Sequence, residues 1–190
     1  MAVTLNDPRL LSPQCRTLAP VRTVHQNPWF SVRERGGYYT IEHHQTQVVI
    51  VPLVEPSKIV MVYQDRPILA DRTLEFPAGG VESGENPTQA AARELFEETG
   101  IAVHDLGRFR PMASMAITPR DPLLPFIFCV ELTEWEVEGR VELRNETDEV
   151  EILTEERIRE KVDSGEIYLG LHIGILFKLD QLGHFRRNRI

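Results

Sequence analysis

The stretch "AGGVESGENPTQAAARELFEETGI", residues 78–101, decides how this chain is read. It carries five carboxylates, three of them crowded between positions 94 and 98. Its second half has the marks of a helix. Asn86 is a good N-cap, Pro87 takes the first helical position where its missing N–H costs nothing, and Gln89 completes a capping-box spacing. Gly100 supplies the stop, so a helix is expected over 87–99. Ala91 with Leu95, and Ala92 with Phe96, form i,i+4 apolar pairs expected to face a core.

At about 100° per residue, Glu94 and Glu98 lie about 40° apart and Glu97 falls about 60° to the other side of Glu94. All three then share a face opposite Leu95, and Glu85 can fold back toward it. Like charges so placed repel one another and raise one another's pKa. A solvated acidic face is one reading of these residues. The other is a platform for a hard divalent cation, Mg2+ or Mn2+, which takes carboxylate oxygens, water and substrate phosphate. Such a cation would also let an acidic protein bind an anion.

The chain around the stretch is indeed acidic. Over 190 residues, 29 Asp and Glu stand against 21 Lys and Arg, a formal charge of −8. That balance argues against duplex DNA or an anionic membrane as partner. The short basic end "HFRRNRI" reads as a solvated terminus rather than a nucleic-acid arm. Cys15 and Cys129 are far apart and suggest neither a disulfide framework nor a zinc knuckle; Cys129, within "FIFCV", reads as a small core residue. The N-terminus lacks a signal peptide's apolar region, and no run approaches the ~18 apolar residues of a span. A soluble cytoplasmic protein is expected.

Upstream of the stretch the pattern is strand-like. "WFSVRER" (29–35) and "YYTIEHH" (38–44) flank Gly36-Gly37, the signature of a tight hairpin. "QVVIVPLV" (47–54) is continuously apolar, as in a strand covered on both faces, and "KIVMVYQ" (58–64) and "LEFPA" (74–78) follow. Downstream, "VHDLGRFRPMASM" (103–115), "FIFCVEL" (126–132) and "EVEIL" (149–153) read as strands, and "TEERIREKVDSG" and "LHIGILFKLDQL" as closing helices. This order predicts an α+β fold with a mixed sheet. Residues 1–20, with three prolines and no period, read as a loosely attached arm.

The spacing within the opening stretch is Gly79, five residues, Glu85, seven residues, Arg93-Glu94-Leu95, one residue, Glu97-Glu98, one residue, Gly100-Ile101. It resembles the Nudix box at all nine specified positions over 23 residues. The resemblance implies an α/β/α Nudix sandwich over 47–190 and a hydrolase of nucleoside diphosphates linked to another moiety. It implies Glu94 and Glu98 as metal ligands, with Glu97 joining when more than one metal binds, and the carbonyl of Ala78 in the metal shell. Glu85 would help position the cluster, and Arg93 would orient the helix carboxylates. The ion expected is Mg2+, with Mn2+ as a substitute.

"YQDR" (63–66) followed by "LEFPAGG" (74–80) is similar to the entry of the box in ADP-ribose pyrophosphatases and related nucleotide-sugar hydrolases. That likeness puts Arg66 on the diphosphate, a contact suited to a forked guanidinium. It also makes residues 21–46 a hairpin subdomain that pairs two copies as a homodimer and supplies an aromatic for the base: Trp29 first, then Phe30. "RNETDEVEIL" (144–153) resembles the late acidic loop of that group, with Glu146 as general base, Asp148 assisting the metals, and Glu149 the base if the loop is shifted. One feature departs from the subgroup: its proline beyond the box is displaced, with Pro119 late and Pro111 early, and Arg120 replaces the glycine of its turn. Arg120 is then a candidate for a distal phosphate or sugar. The alternatives are hydrolysis of nucleoside triphosphates, dinucleoside polyphosphates or coenzyme A on the same fold, or a catalytically silent ligand-binding module.

Overall fold

In the computed structural model, which describes residues 21–185 except 56, 117, 119, 122 and 143–148, the chain builds two sheets. β1 (Val21–Gln26), β2 (Phe30–Arg35) and β3 (Tyr38–His43) pair antiparallel in that order. Gly36 and Gly37 make the β2–β3 turn, and both have positive φ (58° and 87°), as a primed hairpin turn requires. β1 extends the expected hairpin to three strands.

The larger sheet contains β4 (Gln47–Val54), β5 (Lys58–Arg66), β6 (Asp71–Glu75), β7 (Ala78–Gly80), β8 (Arg110–Met112), β9 (Phe126–Leu132) and β10 (Val150–Thr154). Its order is β10–β5–β4–β9–β8, with β6 on β5 and β7 on β4. β4 and β9 run parallel through seven consecutive pairs, Val48↔Phe126 to Val54↔Leu132, while the other pairs are antiparallel. The expected mixed sheet is thus present. The helices are α1 (Pro87–Thr99), α2 (Glu134–Glu138), α3 (Glu155–Asp163) and α4 (Gly170–Gln181).

Alternation along β4 explains its unbroken apolar text. Val48, Ile50 and Val54 turn to one face with Val60, Phe126, Phe128 and Val130, and pack on Ala90, Ala91 and Leu95 of α1. Val49 and Val51 turn to the other with Ile59, Met61 and Ile127, against Ile158 of α3 and Ile175, Leu176 and Leu179 of α4. Both faces are dry, so neither tolerates polar residues. The layering is the α/β/α sandwich expected from the sequence.

Several local expectations need correction. Residues 103–115 do not form one strand. The Asp105 side chain accepts from the Gly107 N–H at 3.0 Å and caps a 3-10 turn over Leu106–Arg108. The Arg108 guanidinium then forks onto Glu136 (2.6 and 3.0 Å), leaving only Arg110–Met112 to pair as β8. The strand read as "LEFPA" splits in two, because Pro77 has no N–H to donate; pairing moves from β5 to β4 at Ala78. Phe96 does not face the core but is exposed, since α1 rests on the sheet through Ala90, Ala91, Leu95 and Thr99, and Phe96 lies about 100° round from Leu95. Helix α2, capped by a Thr133–Glu136 capping box, had no counterpart in the sequence reading. Cys129 is half-buried in β9, and burial pushes its thiol up to about 11. Among the described residues no helix is long and apolar enough to cross a membrane. The arm assigned to 1–20 lies outside the described residues.

Candidate active site

Local chemistry sets the loop and helix that carry the acids. The Asn86 side chain accepts from the N–H groups of Thr88 and Gln89, both at 3.0 Å, and the Gln89 side chain accepts from the Asn86 N–H at 2.8 Å. That is the capping box anticipated from the sequence. At the other end Gly100 (φ 73°) donates to the Phe96 carbonyl at 2.8 Å and stops α1. Between these caps, β7 runs past the middle and last turns of α1 and brings backbone up to carboxylates.

Arg93 organises that junction. Its Nη2 donates to Glu85 Oε1 (2.6 Å) and to the Gly80 carbonyl (2.8 Å), and its Nη1 to Glu94 (2.9 Å) and Glu97 (2.8 Å). One guanidinium thus holds three carboxylates and the loop, and its i,i+4 pair with Glu97 is one arm of that network. Hydrogen bonds from Arg93 draw the Glu85 carboxyl below its usual range, and the same partners, Glu85 foremost, raise the guanidinium further above neutrality.

Glu98 takes a different set of partners. Its Oε2 accepts from the Ala78 N–H and its Oε1 from the Gln64 side-chain amide, both at 3.0 Å. The four acids therefore divide three and one rather than converging on a single point. Among the described residues no three Asp, Glu, His or Cys side chains close into a metal-holding group. The repulsion foreseen between the acids is met by Arg93 on one side and by neutral amide donors on the other.

Glu94 is the strained member. Burial, foremost, pushes its carboxyl above the usual range; hydrogen bonds from Arg93 only partly offset this, and Glu97 and Glu85 add to it. The carboxylate lies against Gly79 so closely that a Cβ there would sit 2.0 Å from Glu94 Cδ. A half-buried carboxylate under this pressure, with Glu97 and Glu98 one turn on and the Ala78 backbone beside them, is a set of hard oxygen donors. Such a set fits Mg2+ or Mn2+ and does not suit a soft metal.

A second network joins the site two residues along β5 from Gln64. Arg66 Nε and Nη2 fork onto Glu75 at 2.7 and 2.8 Å. Glu75 also accepts from Thr73 Oγ1 (2.5 Å) and lies 3.1 Å from His172 Nε2 on α4. The Phe76 N–H donates to His172 Nδ1 at 3.2 Å, which leaves the ring proton on Nε2, facing Glu75. Burial pushes the Glu75 carboxyl up, but the hydrogen bonds from Arg66, His172 and Thr73 outweigh it and hold the group at about 2. Sequence reasoning found Arg66 and missed Gln64, Thr73, Glu75 and His172. The available signal was an acid and an imidazole in otherwise apolar text, "TLEFPA" and "LGLHIGILF".

Of the remaining candidates, Trp29, Phe30, Arg120 and Glu149 make contacts elsewhere. Trp29 stands at the β1–β2 turn with 72% of its surface exposed. Phe30 is half-buried, its ring 5.9 Å from His25 and 6.5 Å from His43. Arg120 is exposed, and its carbonyl accepts from the Ile41 N–H at 3.0 Å, which docks the loop beyond the box onto β3. His43 lies 3.5 Å from Asp121 of the same loop, while His44 bonds Ser31 Oγ at 2.8 Å. Glu146, Asp148 and Pro119 lie outside the described residues. Glu149 is exposed, its carbonyl accepting from the Tyr63 N–H (3.0 Å) and its carboxylate 3.4 Å from Arg72.

Comparison with known proteins gives one family. The NUDIX domain model matches residues 43–169. A CMP-5'-(N-acetyl-N-hydroxy-3-aminopropyl)phosphonate hydrolase of Streptomyces rubellomurinus is 35% identical over 109 residues, covering 52% of this chain and 53% of that one. An ADP-ribose pyrophosphatase of Bacillus subtilis is 29% identical over 130 residues, covering 67% and 68%. The matched stretch thus spans about half the length of the first relative and two thirds of the second. Among solved structures, an ADP compounds hydrolase superposes with a TM-score of 0.68 at 19% identity, covering 88% of this chain and 93% of its own. At that identity the likeness speaks for the fold.

Proposed function

The chain belongs to the Nudix family, and from that premise we propose that it hydrolyses the pyrophosphate bond of a nucleoside diphosphate sugar, ADP-ribose first among them. Water attacks one phosphorus, the bridging P–O bond breaks, and a nucleoside monophosphate and a sugar phosphate leave. The observation that carries this reading is a forked guanidinium beside a carboxylate cluster. Arg66, held flat by Glu75, lies on the same strand face as Gln64, which bonds Glu98. On this reading an anion site adjoins a cation site, the pairing a diphosphate needs.

Glu94, Glu98 and Glu97, with the Ala78 carbonyl, would hold a divalent metal, Mg2+ by preference. When bound, it supplies Lewis acidity and offsets the negative charge of the diphosphate. Arg93 keeps the helix carboxylates oriented, and Arg66, its guanidinium fixed by Glu75, orients the diphosphate. Glu146 is the general base, with Asp148 assisting the metals, and Glu149 takes the base role if the loop is shifted. Trp29, or in second place Phe30, stacks on the nucleotide base, and Arg120 reaches the distal phosphate or sugar. The three-stranded sheet, with Val24, Tyr39 and Ile41 at least 44% exposed, pairs two copies as a homodimer.

A panel with Mg2+ and with Mn2+ tests the assignment: ADP-ribose, GDP-mannose, UDP-glucose, a nucleoside triphosphate and a CMP-linked phosphonate, with products identified. A diphosphate sugar turned over fastest, releasing a sugar phosphate, is the expected result. Fastest turnover of the triphosphate with pyrophosphate release would overturn it. The CMP-linked phosphonate is included because the Streptomyces relative carries that substrate in its name.

A further inference from the structure

We infer that His172 is a positioning residue of the diphosphate site, acting through Glu75 on Arg66. The inference rests on the reading of Arg66 given above and extends it to a side chain on the opposite layer of the sandwich. His172 belongs to α4, packs its ring 5.8 Å from that of Phe76, and is 4% exposed. A buried imidazole in an apolar helix is most simply a filler, and a filler needs only shape. This one is instead used at both nitrogens. The Phe76 N–H occupies Nδ1, which forces the proton onto Nε2 and aims it at Glu75 Oε2.

Glu75 is the acid to which Arg66 is forked, one oxygen to Nε and the other to Nη2. With Thr73 on Oε1 and His172 on Oε2, each carboxylate oxygen has a second donor, and the carboxylate plane is fixed. Rotation of that plane would rotate the guanidinium with it, because a bidentate pair is coplanar. Arg66 keeps 44% of its side chain exposed, so the guanidinium that Glu75 orients is within reach of an anion from solvent. Phe76 and Glu75 open the run to Pro77 and Ala78, where the backbone reaches Glu98. His172 therefore braces Glu75 at the end of β6 and Phe76 just beyond it, on the path from the guanidinium to the carboxylate cluster.

The test compares four variants of the full chain hydrolysing ADP-ribose, or whichever diphosphate sugar the panel ranks first, in Mg2+. His172→Phe keeps the ring and removes both nitrogens. His172→Gln can place an amide N–H near Nε2, and His172→Asn can place a carbonyl near Nδ1. Arg66→Lys tests the underlying reading. The expected pattern is a KM raised about tenfold in His172→Phe and His172→Asn, restored to within about threefold by His172→Gln, with kcat and the half-saturating Mg2+ concentration little changed. If Arg66→Lys raises KM but His172→Phe does not, or if Gln and Asn behave alike, His172 only fills space and the inference falls. A loss of kcat that follows a lowered melting temperature also overturns it. If Arg66→Lys leaves KM unchanged, the diphosphate reading of Arg66 fails instead. Should His172→Phe not fold, the contrast between Gln and Asn decides.

Discussion

Replacing Gly79 by alanine is the sharpest single test of the carboxylate site. The added Cβ would lie 2.0 Å from Glu94 Cδ and Oε1 and 2.3 Å from Oε2. An ordinary contact needs about 3.5 Å, so the carboxylate must retreat by roughly 1.5 Å. Backbone is not what blocks the methyl; the obstacle is the free end of a flexible side chain, and it can swing aside. The fold should therefore survive. Glu94 loses its bond to Arg93, but Arg93 retains Glu85, Glu97 and the Gly80 carbonyl. The reduced freedom of the unfolded chain returns part of the loss, leaving a net cost of about 1 kcal/mol and a fall of about 3 °C in Tm. Catalysis should suffer far more, since a displacement of about 1 Å in a reacting constellation costs about 10²-fold. The assay is the initial rate on ADP-ribose across a Mg2+ titration, paired with a thermal melt. Gly170→Ala serves as control, because a Cβ there meets nothing within 4 Å. A cooperatively folded Gly79→Ala protein with kcat within about threefold of the parent at saturating Mg2+ would refute the assignment of Glu94.

Three further outcomes follow from the same geometry. Glu75 titrates at about 2 in the fold against 4.5 ordinarily, so the unfolded chain binds more protons between those values, and stability present above about pH 4.5 is lost as pH falls toward 2. Glu75→Gln should remove about 2 kcal/mol of that pH dependence, measured by urea unfolding at pH 7 and pH 3; an unchanged slope would show that the network does not hold the carboxylate. Chelation of divalent metal should abolish turnover while lowering Tm by no more than about 3 °C, because Arg93 already bridges three of the acids, whereas Arg93→Met should cost about 3 kcal/mol. Unfolding on chelation would show that the metal, not Arg93, holds the acids together. Trp29→Ala should raise KM about tenfold and leave Tm within about 1 °C, since the indole is 72% exposed; a fall in Tm without a KM effect would make it a packing residue.

What could be read from the sequence was local. Asn86, Pro87, Gln89 and Gly100 act within a few residues of one another, so their caps were predictable, as was the turn at Gly36-Gly37. The covered strand at 47–54 was legible because burial on both faces leaves no polar position. Errors arose where a distant partner decided the outcome. Arg108 looks like strand text until Glu136, 28 residues on, claims it. Phe96 has the right spacing for the core, but α1 meets a single sheet face whose width is set by Ala90 and Ala91. The acids of the box were found, yet their division was not, because Gln64 and the Ala78 N–H approach Glu98 from other strands. Glu75 and His172 stand 97 residues apart, and only the closed sandwich makes them neighbours.

The parallel pairing of β4 with β9 carries a consequence for the order of assembly. Val48 must find Phe126, and everything between them, including β5, β7, α1 and the whole carboxylate loop, lies inside the loop so closed. Closing a long loop costs entropy before any contact rewards it, and such non-local pairings slow folding. The box helix can form early, by its caps, but its apolar stripe has no floor until Phe126 and Phe128 arrive from β9. On a ribosome, the segment that holds the clustered acids therefore emerges well before the strand that shelters it.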